Sequence, residues 1–487
     1  MNFSRRTSVL AALVLATALP GVLAPSVRAA GPQRTDRYVV VLADTASADP
    51  SALAARHLRS LGRAPVAPEV VFRHALRGYA AALTPDQAAA LGRSPEVRFV
   101  SREHTYRSAT RTADGPVRPG TSPARPGTSP CRTAVDVTRR QCLPEWADRI
   151  DAERSSARSG DGRGAVTGVN VAVVDSGISG GHPDLDVRGG TDCVTGQPVV
   201  PGASLSDPAG FGTAVAGAVG ARDNRTGVVG VAPGVPLWSY KVFPDDGGTA
   251  TDSSLLCALD RVAATRADGD PGNDIHVATL AFARTDLAPA DDGRCGTVNG
   301  DALHLAVCTT TRAGVTFVAA AGSFRWDVDL SVPAAYDEVL TATAVADFDG
   351  RPGGRGAADC RGTDYGSFGF LDDQVALPLA GFARSAADRR HLVAAPGVCV
   401  AFTGPADVPL PTLVTGTGAA AAVAAGVTAL CVAHGPCAED DPARTVRRIV
   451  SDADRHRRDD PRFGYYGDPD RPVRGRFHGP LLSAALY

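Results

Sequence analysis

The chain of 487 residues is too long for one small domain and favours a large domain with an accessory one. Hydrophobic residues make up 44% and charged residues 21%, which is enough for a large buried core. The net charge of −2 argues against nucleic acid or an anionic membrane as a partner recruited by bulk charge. Beyond the N-terminal segment we find no apolar run of about 18 residues, so we expect no membrane span there.

The N-terminal segment has the features of an export signal. Arg5 and Arg6 precede an apolar run over residues 9–23, and residues 27–29 place small side chains at a cleavage spacing. The same arginine pair resembles the start of a twin-arginine signal, although paired arginines are common in ordinary signals. We predict a signal peptide over residues 1–29 and a secreted, extracellular protein.

All ten cysteines lie at or beyond Cys131. An even number in an exported chain favours disulfides over thiol chemistry or zinc, and no Cys-x-x-Cys pair is present. Proximity in sequence suggests three pairs and leaves the connectivity of four cysteines open. The suggested pairs are Cys131–Cys142, Cys295–Cys308 and Cys431–Cys437, and the others are Cys193, Cys257, Cys360 and Cys399.

Residues 30–105 have the pattern of a small independent domain. Strand patterns cover residues 37–42, 70–74, 78–83 and 97–101, and a helical pattern covers 52–61. A second helix is predicted to begin after Thr84, with Pro85 in its first turn and Gln87 completing a capping box. The predicted order is βαββαβ.

Residues 106–145 have the composition of a linker. The stretch 118–123 recurs as 125–130, and such repeated Pro, Gly and Ser residues cannot bury a core. We therefore predict an extended segment between two domains.

Residues 146–487 alternate short β-rich runs with Ala-rich stretches. The runs lie at 169–175, 235–242, 275–280, 315–321 and 339–345, with a helical stretch at 251–267. This alternation predicts an α/β fold whose central parallel sheet carries helices on both faces, with functional residues at strand ends and helix N-termini. Residues 418–432 are apolar on every side and predict a buried helix.

Three motifs in the large domain resemble those of the subtilisin-like serine peptidases. Residues 171–178, Val-Ala-Val-Val-Asp-Ser-Gly-Ile, are similar to the aspartate motif, residues 210–217 to the histidine motif and residues 416–420 to the serine motif. Residues 146–151 are similar to the entry segment of the proteinase K-like branch, and residues 72–83 to the family's inhibitory propeptide. The resemblance covers essentially all of the large domain. It implies a three-layer subtilisin-like fold with a ferredoxin-like propeptide domain.

The same resemblance implies that the chemistry is lost. Acyl transfer by these peptidases needs a hydroxyl nucleophile, an imidazole, a carboxylate and oxyanion donors. The four matching positions are Asp175, which retains the carboxylate, Phe211 at the histidine position, Gly418 at the serine position and Ser323 at the position of the oxyanion-hole asparagine. The backbone N–H of Gly418, at a helix N-terminus, would remain as the anion donor. We predict a catalytically inactive homologue.

An active serine endopeptidase with a rebuilt site is the alternative. The hydroxyls nearest the expected site are Ser323, Thr417 and Ser176, and His182 is the histidine closest in sequence to the retained carboxylate. A new nucleophile needs a base within hydrogen-bond reach, and no spacing here requires one. The carboxylate itself is expected to accept hydrogen bonds from its strand-end backbone and from Ser176 or Thr213.

The cleft suggests a third interpretation, a secreted module that binds peptides or regulates a partner without cutting. Active relatives bind peptide as an added strand between two edge segments. The matching segments here are 247–251 and 279–282, with Gly248, Thr249, Thr279, Leu280 and Ala281 as candidate cleft residues. We expect the chain's own propeptide domain and extended peptides as partners, with no nucleic acid, no membrane after signal removal and no cofactor. Calcium is common in the family, but no carboxylate cluster in the sequence is distinctive enough to assign.

Overall fold

The structure is a computed structural model. It describes residues 35–62, 68–109, 111–112, 141, 143–163, 165–199, 205–225, 227–286, 288–322, 325–356, 371–376, 380–404, 412–473 and 475–487. The predicted signal peptide, most of the predicted linker, Ser323, Cys131, Cys142 and Cys360 lie outside the described residues.

The N-terminal domain is a four-stranded antiparallel sheet with two helices. Its elements are β1 (Asp36–Leu42), α1 (Pro50–Ser60), β2 (Val70–Phe72), β3 (Gly78–Leu83), α2 (Pro85–Leu91) and β4 (Val97–Arg102). The strand order is β2-β3-β1-β4, and the chain order is the predicted βαββαβ. Thr84 and Gln87 form the predicted capping box at the start of α2. Leu53 and Tyr79 belong to the core between helices and sheet.

The rest of the chain contributes the other strands and helices. The strands are β5 (Thr105–Ser108), β6 (Arg111–Thr112), β7 (Asn170–Asp175), β8 (Val187–Asp192), β9 (Leu237–Lys241), β10 (Ala250–Thr251), β11 (Ile275–Leu280), β12 (Phe282–Thr285), β13 (Thr316–Ala320), β14 (Ser331–Val332), β15 (Leu340–Ala346), β16 (Gln374–Val375), β17 (Leu392–Val398), β18 (Val400–Phe402) and β19 (Thr412–Thr415). The helices are α3 (Glu145–Arg149), α4 (Phe211–Gly220), α5 (Asp252–Thr265), α6 (Ala302–Arg312), α7 (Thr417–His434) and α8 (Pro442–Asp459).

A central sheet organises the large domain. Its order is β16-β15-β13-β11-β7-β9-β8, with β17 also beside β15, and every described pair except β15–β16 is parallel. Side chains of β7 alternate between two cores, with Val171 and Val173 in the core that includes α4 and α7, and Ala172 and Val174 in the core that includes α5 and α6. The domain therefore has the predicted layer of helices on each face.

Helix α7 is the core helix that the sequence predicted. Within the described part of the chain it is the one helix long and apolar enough to cross a membrane, but 83% of its apolar window is buried inside the protein. Gly426 allows it to approach the segment after α4, because a Cβ there would lie 2.6 Å from the Cβ of Val231. Its burial identifies it as part of the core of the large domain.

Three elements meet where the candidate site lies. Asp175 ends β7, Phe211 begins α4, and Gly418 is the second residue of α7. A Cβ on Gly212 would lie 1.9 Å from the carbonyl oxygen of Gly177, so only glycine lets α4 begin against the turn that follows β7. This close approach sets Phe211 beside the strand end.

Disulfides join distant as well as neighbouring segments. Cys295–Cys308 and Cys431–Cys437 are bonded, as their proximity in sequence suggested. Cys193, directly after β8, is bonded to Cys257 of α5 across 64 residues, a pairing that the sequence left open. Cys399 is also disulfide-bonded, and no cysteine in the described ranges is free.

Candidate active site and peptide cleft

Asp175 is fully buried at the carboxyl end of β7. Its Oδ1 accepts a hydrogen bond from the Ser176 N–H at 2.7 Å, while its Oδ2 has no hydrogen-bond partner. Burial raises the pKa of Asp175 to about 7, and the nearby Asp207 adds to the rise, against the lowering by the Ser176 hydrogen bond and Lys241. One of the expected donors, Thr213, is engaged elsewhere, because its hydroxyl donates to the Ser179 hydroxyl at 3.3 Å.

Asp207 holds the start of α4 and was not singled out from the sequence. Its carboxylate accepts from the N–H groups of Gly210 at 2.9 Å and Thr213 at 2.7 Å, and from the Ser176 hydroxyl at 2.7 Å. These bonds cap the helix and lock the turn after Asp175. Burial raises the pKa of Asp207, while its hydrogen bonds oppose the rise.

The single lysine of the chain interacts electrostatically with both carboxylates. Lys241 is buried, donates to the carbonyl oxygen of Ser176 and pairs with Asp245 at 2.9 Å. It lowers the pKa values of Asp175 and Asp207, although burial outweighs it in both. The lysine therefore neutralises part of the buried negative charge.

Phe211 presents an apolar ring where the resemblance predicts an imidazole. It is half-buried, and its Cε2 atom lies 3.9 Å from the point where a Cβ on Gly247 would be. A phenyl ring has no titratable nitrogen, so it neither donates to the Asp175 carboxylate nor accepts a proton. The unpartnered oxygen of Asp175 is the local consequence.

The backbone at Gly418 is occupied by the chain's own N-terminal part. The Gly418 N–H donates to the carbonyl oxygen of Ala109 at 3.1 Å. Helix N-termini offer such unpaired N–H groups, and the helix dipole favours negative charge there. The predicted anion donor therefore binds a peptide carbonyl, with no side chain at position 418 to attack it.

The candidates for a rebuilt nucleophile are engaged in other bonds. The Ser176 hydroxyl donates to Asp207, and the buried Thr417 hydroxyl donates to the Gly322 carbonyl at 3.2 Å. His182 accepts from the Asp184 N–H at 3.1 Å and lies 3.2 Å from the Gly404 carbonyl, and burial lowers its pKa. The structure does not join His182 to either described hydroxyl. Ser323 lies outside the described residues.

Strand β5 lies in the cleft between β10 and β12. The antiparallel partners are Tyr106 with Ala250, Thr105 with Thr251, Arg107 with Ala283 and Ser108 with Phe282. The Ala109 N–H then donates to the Ala281 carbonyl at 2.8 Å. Residues 106–108 belong to the predicted linker, but the two edge strands give their backbone hydrogen-bond partners, so they form part of a strand.

After Ala109 in the chain, β6 pairs antiparallel with β19, the strand before α7. The chain is therefore bound on both sides of the Gly418 N–H, as β5 before it and as β6 after it. In this arrangement the Ala109 carbonyl lies at the first turn of α7.

The candidate cleft residues take different places. Ala281 contacts the bound segment, whereas Gly248 and Thr249 lie in the exposed turn directly before β10. Thr279 and Leu280 end β11 of the central sheet and are fully buried. The edge strands that pair with β5 therefore begin three residues later than the segments matched from the sequence.

Comparison with known proteins agrees with this architecture. Residues 166–465, more than half of the chain, match the Subtilase family, and residues 37–109 match Peptidase inhibitor I9. The chain belongs to the subtilase family. Its N-terminal domain is the family's propeptide-type inhibitor domain, and its fold is subtilisin-like.

Curated relatives of this subtilase are bacterial proteins. It is 35% identical to alkaline elastase YaB of Bacillus sp. (strain YaB) over 189 residues, 39% of this chain and 42% of that protein. It is also 35% identical to subtilisin BL of Lederbergia lenta over 204 residues, 42% of this chain and 64% of that protein. The chain thus spans less than two thirds of these relatives.

A solved structure supports the fold over nearly the whole chain. Fervidolysin from Fervidobacterium pennivorans, described as a keratinolytic enzyme related to subtilisin, superposes with a TM-score of 0.59 and 19% identity. The match covers 94% of this chain and 61% of that one. At this identity the likeness concerns the fold alone.

The propeptide-type domain of this subtilase docks on helix α5. Asp260 of α5 accepts hydrogen bonds at 2.6 to 3.0 Å from three consecutive N–H groups, those of Arg73, His74 and Ala75. At the other end of the helix, Glu103 accepts from the Ser253 N–H at 2.9 Å. Carboxylate-to-backbone bonds of this kind are charge-assisted and orient the domain.

The calcium common in subtilases is not assigned. The described residues contain three acidic or cysteine-containing groups of suitable spacing, namely Cys295, Cys308 and Glu338, then Asp291, Asp292 and His304, then Asp347, Asp349 and Asp372. The first contains a disulfide, and in the last Asp347 is already held by Arg149 at 3.0 Å and by the Gly350 N–H at 2.7 Å. Backbone N–H groups of the protein also bond Asp291, Asp292, Asp349 and Asp372 in the last two groups.

Proposed function

We propose that this subtilase is a secreted pseudopeptidase, which binds extended peptide in its cleft and does not hydrolyse it. Its own propeptide-type domain is the first occupant. The observation that carries the proposal is the hydrogen bond from the Gly418 N–H to the Ala109 carbonyl, at a position without a side-chain hydroxyl. Phe211, at the start of α4, has no group that accepts a proton, and no described hydrogen bond joins the free Asp175 Oδ2 to a hydroxyl.

The size of the chemical loss supports the proposal. In subtilisin, removing the serine or the histidine alone costs about 2 × 10⁶ in kcat. Here both positions lack the reacting group, and Asp175 has no imidazole to orient. The buried Thr417 hydroxyl donates to a backbone carbonyl, and the buried Ser176 hydroxyl donates to Asp207, whose carboxylate is also bonded by two N–H groups at the start of α4.

Export is supported by two observations. The predicted signal over residues 1–29 has the charge and apolar pattern of a cleaved leader. The described cysteines are oxidised, as in Cys193–Cys257, and such bonds persist in oxidising compartments.

The proposal is tested with purified, exported protein. We expect no hydrolysis of a panel of fluorogenic peptides above a blank, and no covalent labelling by a serine-directed phosphonate, with an active subtilisin as the positive control. Labelling that disappears in Ser323→Ala or Thr417→Ala would instead establish an active serine endopeptidase with a rebuilt site.

The proposal also predicts that the two domains stay in one chain. Active subtilases cut their own propeptide, and this step needs the nucleophile and base that are missing here. Expression in a peptidase-deficient host should give one band from about Ala30 to Tyr487. A defined cut near residues 101–130 in protease-free material would contradict it.

A further inference from the structure

Tyr106 is the most deeply inserted side chain of the segment in the cleft. It is fully buried, while the next residue, Arg107, is exposed. The Tyr106 ring packs edge-on against Phe282 with ring centroids 5.8 Å apart, and shares a core with Phe243 and Ala250. The large domain thus provides a closed pocket for one side chain of the bound strand.

The far end of this pocket is charged. The Tyr106 hydroxyl donates to Asp252 Oδ1 at 2.6 Å and accepts from Arg284 Nη1 at 2.7 Å. The Arg284 guanidinium also lies over the ring, 5.2 Å from its centroid. The pocket therefore contacts the phenol in three ways. Asp252 accepts the hydroxyl hydrogen, Arg284 donates to the hydroxyl oxygen, and the guanidinium lies over the ring.

Both charged groups also have partners other than the tyrosine. Arg284 pairs with Asp286 at 3.0 Å and with Asp301 at 3.3 Å, and its side chain is 9% exposed. Asp252 is 2% exposed, and its other oxygen accepts from the N–H and the ring nitrogen of His104. A phenylalanine in this place would leave a buried carboxylate oxygen and a buried guanidinium N–H without the hydroxyl partner.

We propose that this pocket selects the occupant of the cleft and that the ligand class is an extended peptide with a tyrosine three residues before the carbonyl bound by Gly418. The inference rests on the proposed function and adds a substrate class to it. The backbone pairing of β5 with β10 and β12 does not depend on side chains, so the tyrosine hydroxyl is what distinguishes this peptide from others in the cleft. Sites that hydrogen-bond a hydroxyl strongly reject the analogue that lacks it, because their polar groups are left unpaired.

The chain's own segment competes with any peptide added in solution. It is tethered, so its effective concentration at the cleft is on the order of millimolar. The test therefore uses the full chain with Tyr106→Ala, which empties the pocket while keeping both domains. Fluorescence anisotropy is measured with a labelled peptide copying residues 103–109, with its phenylalanine analogue, and with a control peptide that has alanine for the exposed arginine.

We expect the tyrosine peptide to bind at least about tenfold more tightly than the phenylalanine analogue, and the control peptide to match the parent. Equal affinities of the tyrosine and phenylalanine peptides would overturn the inference, and so would failure of all three to bind. Mass spectrometry of the same mixtures separates the two proposals. Cleaved peptide with a tyrosine preference would refute the proposed function and keep the pocket, whereas uncut peptides of equal affinity would refute only the pocket.

A second measurement does not require an emptied cleft. In the otherwise unchanged chain, Tyr106→Phe should raise amide hydrogen exchange over residues 103–109 by about tenfold, because the segment opens more often. Tyr38→Phe, a half-buried tyrosine of β1, is the matched control and should leave this exchange unchanged. Unchanged exchange in Tyr106→Phe would overturn the inference.

Discussion

The peptide pocket around Tyr106 and the chemical centre near Ala109 lie three residues apart along the bound segment, and they differ in how well their buried polar groups are satisfied. Around Tyr106 the hydroxyl, the Asp252 carboxylate and the Arg284 guanidinium all have partners. At the centre, Asp175 retains an oxygen without one. Buried polar groups are normally paired, so the difference separates a complete binding surface from an incomplete reaction site. The difference supports the proposal that the protein binds a strand without cutting it.

The largest effect is expected when the missing catalytic side chains are restored. The triple variant Phe211→His, Gly418→Ser and Ser323→Asn should cleave its own chain directly after Ala109, because that carbonyl is already bound by the Gly418 N–H. The expected gain is on the order of 10⁶-fold in cleavage rate. Gel electrophoresis and the mass of the released N-terminal fragment give the readout.

The matched control replaces Gly418 by alanine in the presence of the other two changes, and it should remain intact. A triple variant that folds and still stays in one piece would show that the cleft geometry, and not only its side chains, has changed.

The second test concerns the unpartnered carboxylate. Burial raises the pKa of Asp175 from 3.8 to about 7 in the folded state, so protonation favours folding. The stability this provides is present below about pH 4 and is lost as the pH rises through about 7. Relative to wild type, Asp175→Asn should therefore gain about 3 kcal/mol more in free energy of unfolding at pH 8 than at pH 5.

Urea unfolding at the two pH values measures this gain. Asp207→Asn is the contrasting variant, since Asp207 accepts three hydrogen bonds and should lose stability at both pH values. A pH-independent effect of Asp175→Asn would mean that the carboxylate is already satisfied.

The third test addresses the docked domain. Asp260→Ala removes the acceptor of three N–H groups and should cost roughly 2 to 3 kcal/mol, seen as faster amide exchange at residues 73–75. Asp260→Asn keeps an oxygen in the same place and should cost less than half as much, because neutral hydrogen bonds are weaker. If both variants exchange like wild type, these bonds do not hold the domain.

The smallest expected difference is between two disulfides. Removing Cys193–Cys257, which closes a 64-residue separation and anchors α5, should cost about 4 kcal/mol in the loop-entropy account. Removing Cys431–Cys437, with a separation of 6, should cost about 2 kcal/mol. Urea unfolding of the two double-alanine variants gives the ranking, and the reverse order would indicate that packing decides the effect instead of chain entropy.

Local patterns allowed much of the fold to be predicted. The capping box at Thr84 depends on residues three apart, and the buried helix α7 on composition alone, so both were predictable. Two of the proximity pairs of cysteines, Cys295–Cys308 and Cys431–Cys437, were confirmed for the same reason, and Cys131–Cys142 lies outside the described residues. Cys193–Cys257 was not obtained, because nothing local indicates a contact across 64 residues.

Motif resemblance named candidate site residues but gave none of their contacts. Motif resemblance located Asp175, Phe211 and Gly418, whereas the pairing of Tyr106 with Arg284 joins residues 178 apart. Asp207 was missed because its role appears only when the turn before α4 brings two N–H groups to its carboxylate. Residues 106–108 were predicted as linker, because their pairing with β10 and β12 depends on segments more than 140 residues away.

The carbonyl of Ala109 is bound by a backbone N–H, and this affects which substitutions position 418 can accept. Every amino acid except proline carries an N–H, so almost any substitution at position 418 leaves that donor in place. Catalysis, in contrast, tolerates one residue type there. Where peptide cleavage is no longer selected, position 418 can therefore vary while strand binding is retained. Selection for cleavage and selection for strand binding then act independently on this position.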